Sequence, residues 1–137
     1  MKVIFDTNIY ISWIRDSEYS YLMLNQNTQK YLSSIVLMEL WAGTKTKDSV
    51  RLIEKLQRPY LKSGRIITLS INHYIQIGQI ISDLPSKYKS KINISGFIND
   101  ISIGLNAVTI GAVLFTENKS DFLIINEYIK TLKVEFI

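Results

Sequence analysis

Most of the twelve acidic side chains stand among polar neighbours, as Asp16, Glu18, Asp48 and Glu117 do. Three do not: Asp6 follows the apolar run VIF, Glu39 lies inside IVLMELW, and Asp100 lies inside GFINDISIGL. Asp121, which opens DFLII just beyond AVLFT, is a fourth candidate. A carboxylate in apolar surroundings is costly unless a cation or hydrogen-bond donors compensate it, and no Lys or Arg is close in sequence to Asp6, Glu39 or Asp100. Taken singly, each acid has an ordinary explanation. Asp6 or Asn8 could cap the next helix, Glu39 could be the one polar position of a buried helix, Asp100 could sit in a first turn, and Asp121 could be an N-cap. Taken together they would set like charges in apolar surroundings, and convergence on a divalent cation removes that cost. Oxygen ligands without Cys or His select Mg²⁺ or Mn²⁺ over zinc. The chain has no cysteine and a single histidine, His73, which excludes disulfides and thiolate metal sites.

The elements that must position these acids follow from the hydrophobic pattern. Lys2 to Phe5 reads as a short buried strand, and apolar periodicity resumes at Ile9, Tyr10, Trp13 and Ile14 as a helix. Asp6 would then stand at the carboxyl end of a strand, where open α/β sheets do chemistry. A second short helix is expected over residues 19–27 and a brief strand at Tyr31 and Leu32. Ser33 and Ser34 can cap an apolar helix over 35–42 that ends at Gly43. An amphipathic helix over 49–57 is expected to stop before Pro59, with a strand over 65–69 and a helix over 72–84 closed by Pro85. After a polar loop, a long helix begins at Gly96, with Gly104, Ala107 and Gly111 as small residues that let it lie close to a sheet. The strand AVLFT, a helix over 122–128 and a strand over 134–137 complete the chain. Strands alternating with helices predict an α/β fold with a central parallel sheet of four or five strands and helices on both faces. Glu135 should face solvent by simple alternation.

With 137 residues, 47% of them hydrophobic, the sequence is expected to form one domain over 1–137 with a real core. No apolar run approaches the roughly 20 residues that span a bilayer, so no membrane association is expected. Asp6 interrupts the apolar start, which does not read as a secretory signal. A cytoplasmic protein is the expectation. The net charge of +4 permits a nucleic-acid partner without implying one. His73 reads as a partly exposed or capping residue. Trp13 and Trp41 fall on apolar helix faces that a core or a dimer contact would use.

From end to end, the segments VIFDTNIYI, SSIVLMELWAG and INDISIGLNAVTIGAVLFTENKSDF resemble a PIN domain, the fold of the VapC-like toxins of type II toxin–antitoxin pairs. Residues 46–95 match by element order alone. The resemblance implies a three-layer α/β fold and a ribonuclease that uses Mg²⁺ or Mn²⁺. It carries the family's acidic residues onto Asp6, Glu39, Asp100 and Asp121, as catalytic groups and metal ligands. Thr7 and Asn8 match its Asp-Thr-Asn turn and Thr116 the threonine ending its fourth strand. Many members carry Asp where this chain has Asn118. Thr7, Asn8, Thr116 and Asn118 are expected to orient the carboxylates, and Arg15, Lys45, Lys47, Lys87, Lys89 and Lys91 to meet RNA phosphates. The implied partners are an RNA substrate, a small antitoxin protein and a second copy in a homodimer. Two other readings stay open: a protein-binding partner of a DNA-binding antitoxin with weak or no nuclease activity, and a haloacid-dehalogenase-like phosphatase with Asp6 as nucleophile. The latter family carries Asp-x-Asp-x-Thr, whereas position 8 here is Asn and Glu39 has no counterpart there.

Overall fold

A computed structural model describes residues 1–137. β1 (Lys2–Phe5) leads into α1 (Thr7–Asp16) and the single turn α2 (Ser20–Met23), then β2 (Gln29–Ser33) into α3 (Ser34–Ala42) and α4 (Lys47–Ser63). β3 (Ile66–Ile67), α5 (Ile71–Asp83), α6 (Ser86–Lys89) and α7 (Ile94–Ile110) follow, before β4 (Val113–Thr116), α8 (Lys119–Tyr128) and β5 (Lys133–Phe136). The strands form one five-stranded sheet in the order β3-β2-β1-β4-β5, and every pairing is parallel. Ile4 lies opposite Tyr31 on one side and Leu114 on the other.

A central parallel strand covered on both faces must be apolar throughout rather than alternating. Val3, Ile4 and Phe5 meet that demand, each buried. The covering helices supply Ile9 and Tyr10 from α1, Val36 and Leu40 from α3, Phe97 and Ile101 from α7, and Phe122 and Ile125 from α8. Helix α3 packs against α1, α4 and α7, and α7 also against α5 and α8.

Five expectations change. The second short helix, expected over 19–27, is only the single turn Ser20–Met23. The strand expected over 65–69 pairs only at Ile66 and Ile67, because β3 is an edge strand that joins β2 alone. The α4 helix does not stop before Pro59 but runs through it to Ser63, where Gly64 closes it at φ +66°. Proline removes one ladder bond, at a cost of about 3 kcal/mol in a helix interior. Here Pro59 is exposed, Ser63 Oγ donates to its carbonyl at 2.7 Å, and the buried Ile53 and Tyr60 hold the same helix to the core. The polar loop after Pro85 contains the single turn α6. Gly104 makes room for a side chain rather than for the sheet: a Cβ there would lie 3.1 Å from Leu132 Cδ2. Glu135 is exposed, as alternation requires.

Candidate active site

Asp6 is fixed from both directions along the chain. Its amide donates to the carbonyl of Phe115 at 2.9 Å, which holds the end of β1 to β4. Its carboxylate caps α1 through Thr7 N, at 2.7 Å on Oδ1. The capping role therefore exists, but it occupies one oxygen only. Oδ2 accepts Thr116 Oγ1 at 2.6 Å and Asn8 Nδ2 at 3.1 Å. With 3% of the residue exposed, burial pushes the Asp6 carboxyl up, Glu39 adds to this, and the bonds from Thr116, Thr7 and Asn8 oppose it.

The other acids join Asp6 through short polar side chains. Thr7 faces both ways: its amide bonds Asp6 and its hydroxyl donates to Glu39 Oε1 at 2.7 Å. Thr116 Oγ1 donates to Asp6 and accepts the Asn118 amide at 2.9 Å. Asn118 caps α8, and its Nδ2 donates to Asp100 Oδ2 at 3.0 Å and to Asp121 Oδ2 at 3.3 Å. A single hydrogen-bonded chain thus runs from Glu39 through Thr7, Asp6, Thr116 and Asn118 to Asp100 and Asp121. Asp121 is not the cap of α8. It lies in the first turn, where its amide meets Asn118 Oδ1 at 3.3 Å.

Electrostatically the cluster is one-sided. Burial pushes the Asp100 carboxyl up to about 9, and Asp6, the hydrogen bond with Asp121, the charge of Asp121 and Glu39 all add in the same direction. The ion pairs of the chain are Arg15–Asp16 and Arg51–Asp48, so none of the four acids has a cationic partner. No group of three His, Cys, Asp or Glu side chains could enclose a metal ion as the side chains stand. The donor chemistry nevertheless fits a hard divalent cation: every group is a carboxylate, and Asp100 is held up first by burial and then by the neighbouring acids.

Three contacts escape a reading by residue type. Asn99 Nδ2 approaches Glu39 Oε2 at 3.5 Å, and the only sequence signal was its place beside Asp100. Glu117, exposed as expected, accepts both Ser12 Oγ and Tyr19 OH at 2.9 Å. Partial burial and that contact push the Tyr19 phenol up to about 12. Together these bonds tie α1 and the turn after it, where Ser17 and Tyr19 both have positive φ, to the residue after β4.

Of the basic candidates, Arg15 lines a cavity with Glu39, whereas the lysines lie elsewhere on the surface. Arg15 is exposed and paired with Asp16 at 2.9 Å. Lys45 and Lys47 line a shallow pocket with Arg51 at the start of α4, and Lys87, Lys89 and Lys91 are exposed around α6. His73 is a capping residue: its Nδ1 accepts the Ser70 amide at 3.0 Å, and its Nε2 meets Thr109 Oγ1 at 3.1 Å. Trp41 is half-buried and donates to Gln57 Oε1 at 2.9 Å.

A parallel five-stranded α/β sheet in this order, with acids gathered at the carboxyl ends of its central strands, defines a PIN-like protein. Neither a family model nor a curated protein matches the sequence. Solved structures do. The chain is 29% identical to a chain of VapBC2 from Rickettsia felis, solved bound to a DNA fragment from their promoter, with 100% of this chain and 99% of that one covered and a TM-score of 0.66. Against VapBC-1 from nontypeable Haemophilus influenzae the identity is 24%, the coverage 99% and 98%, and the TM-score 0.64. FitAcB from Neisseria gonorrhoeae gives 22%, 98% and 96%, and 0.69, and like the Haemophilus match it speaks to the fold alone. Along its whole length the chain has the fold of the VapC-like PIN domains and is similar to them.

Proposed function

We propose that this protein is a ribonuclease dependent on Mg²⁺ or Mn²⁺, the cytoplasmic toxin of a toxin–antitoxin pair, acting on RNA phosphodiesters. The observation that carries the reading is the acid cluster without a cation, in which Asp100 is pushed up to about 9 by burial and by three neighbouring acids. Asp6, Glu39 and Asp100 would hold the ion, and Asp121 would complete its surroundings. When bound, such an ion lowers the pKa of water for attack on a phosphodiester and neutralises charge on the leaving oxygen.

The chain's own residues prepare that chemistry. Thr7 and Thr116 fix opposite edges of the Asp6 carboxylate at 2.7 and 2.6 Å, so it cannot turn away from its neighbours. Asn118 holds Asp100 and Asp121 to one amide, so both carboxylates face the same point. Asn8 adds a third donor to Asp6. Asp100 must release its proton when a cation arrives, which makes ion uptake proton-linked. RNA would be held by the basic residues, Arg15, Lys45 and Lys47 and the lysines at 87, 89 and 91, because the carboxylates themselves repel phosphate. The VapBC2 relative, solved on promoter DNA, supports a small antitoxin as partner, and the working state proposed is a homodimer. No helix is long and apolar enough to cross a membrane.

The test is direct. The purified protein, free of antitoxin, should cleave RNA in Mg²⁺ or Mn²⁺ and stop on chelation. Cleavage that persists in excess EDTA, or that is untouched by Asp100→Asn, would overturn the reading.

A further inference from the structure

Glu39 and Asp100 reach the acid cluster from different helices, α3 and α7. A shared cation needs those helices to keep one fixed offset, because a misplacement of about 1 Å can cost about a hundredfold in rate even when it starts far from the chemistry. The buried face of α7 is poorly suited to fix that offset by packing alone. Ile101, Ile103, Gly104, Leu105 and Ala107 make it apolar and in part small, and apolar contact has no preferred direction.

One buried polar pair interrupts that face. Ser33 and Asn106 are both wholly buried, and Ser33 Oγ donates to Asn106 Oδ1 at 2.7 Å. The same hydroxyl accepts the Ile35 amide at 3.1 Å and so caps α3. Asn106 Nδ2 reaches the carbonyl of Thr68, just beyond β3, at 3.4 Å. The Asn106 amide thus joins α7 to the cap of α3 and to the end of β3. If α7 slid or turned by one residue, these buried atoms would lose their partners, which the interior penalises. None of the four acids of the cluster takes part in this network.

Position along the helices gives the pair its leverage. Glu39 is six residues after Ser33 and Asp100 six before Asn106, about 9 Å of helix in each case. Asn99 is seven residues before Asn106, about two turns, and so lies on the same face of α7. Its Nδ2 is the atom that approaches Glu39 Oε2 at 3.5 Å. One face of α7 therefore meets α3 through polar atoms at two levels, its cap and its acid.

We propose that Ser33 and Asn106 are positioning residues for the metal centre: their hydrogen bond locks α7 against the start of α3 and so sets the separation of Asp100 from Glu39. The pair itself touches neither ion nor substrate. This role rests on the nuclease reading, since a shared cation is what makes that separation matter.

Titration calorimetry of the full chain with Mn²⁺ tests it, beside thermal melts without metal. Asn106→Leu, which keeps the volume and removes the polar atoms, and Ser33→Ala should each weaken Mn²⁺ binding by about tenfold. Because both act through one contact, the double variant should bind within about threefold of the weaker single variant. Asn106→Ala, which cannot overpack, takes the place of Asn106→Leu if the latter does not fold. A contact that merely supports the fold would lower Tm and leave the affinity of the folded chain unchanged. If wild type binds no Mn²⁺, or Asp100→Asn binds it as tightly, the nuclease reading falls and the positioning role with it. Wild-type binding that is lost in Asp100→Asn but untouched in the Ser33 and Asn106 variants, or losses that multiply in the double variant, would overturn the positioning role alone.

Discussion

At the carboxyl ends of β1 and β4, acids face one another without a cation, whereas between α1 and α4, Lys30, Lys55 and Arg65 line a cavity without an acid. The two regions handle surplus charge differently. The acid cluster is knitted by Thr7, Thr116 and Asn118, each of which touches a carboxylate, so its negative charge is oriented. The cationic cavity is not knitted in this way, and Arg65 Nε goes unmet. Surplus charge that is oriented by neutral donors suits a small hard ion.

The largest effect should come from removing one acid. Asp6→Asn or Glu39→Gln is expected to lower metal-dependent RNA cleavage by about a thousandfold, equivalent to roughly 4 kcal/mol of lost transition-state stabilisation. Arg65→Gln should change the same rate by less than about threefold, because the cavity is not part of the cluster. A comparable loss in the Arg65 variant would merge the two regions into one functional unit. The donors come next. Asn118→Ala and Thr116→Val should each weaken Mn²⁺ binding by about 10–100-fold while leaving the ligands in place. Titration calorimetry would show whether orientation matters as much as charge.

Stability sharpens the comparison further. Asp6 is a poor probe of repulsion, because it also caps α1 and accepts from Thr7, Thr116 and Asn8. Asp100 is a better one. In EDTA, Asp100→Asn should be at least as stable as wild type, whereas Mg²⁺ at 100 times its Kd should stabilise wild type by about 2.7 kcal/mol and the variant much less. Thermal melts in the two buffers decide this. A variant destabilised equally in both would make Asp100 structural.

The pH dependence has a fixed sign. Asp100 holds its proton up to about 9 in the fold, against an ordinary value of 3.8. The fold therefore binds that proton more tightly than the unfolded chain. Its contribution is complete below the ordinary value and is lost as pH rises from there through about 9. Metal-free wild type should lose Tm across that window, and Asp100→Asn should flatten the slope. The smallest effect belongs to His73, whose ring accepts the Ser70 amide. His73→Ala should cost about 1 kcal/mol or less and leave cleavage unchanged.

The strand VIF, the acid that follows it and the parallel sheet were legible from the sequence because a buried central strand must be apolar throughout, and a charge at its end stands out. Glu39 and Asp100 were legible for the same reason, each a single charge within an apolar helix. Two features were not. The run of α4 through Pro59 depends on how Tyr60 is buried and which face meets solvent, and local propensity carries neither fact. The cationic cavity joins Trp13, Lys30, Leu56 and Arg65 from four separate elements or turns. Local patterning determined which side chains carry charge into the interior. Only the tertiary structure decided which of them meet, because hydrogen bonds such as Thr116 to Asp6 link positions more than a hundred residues apart.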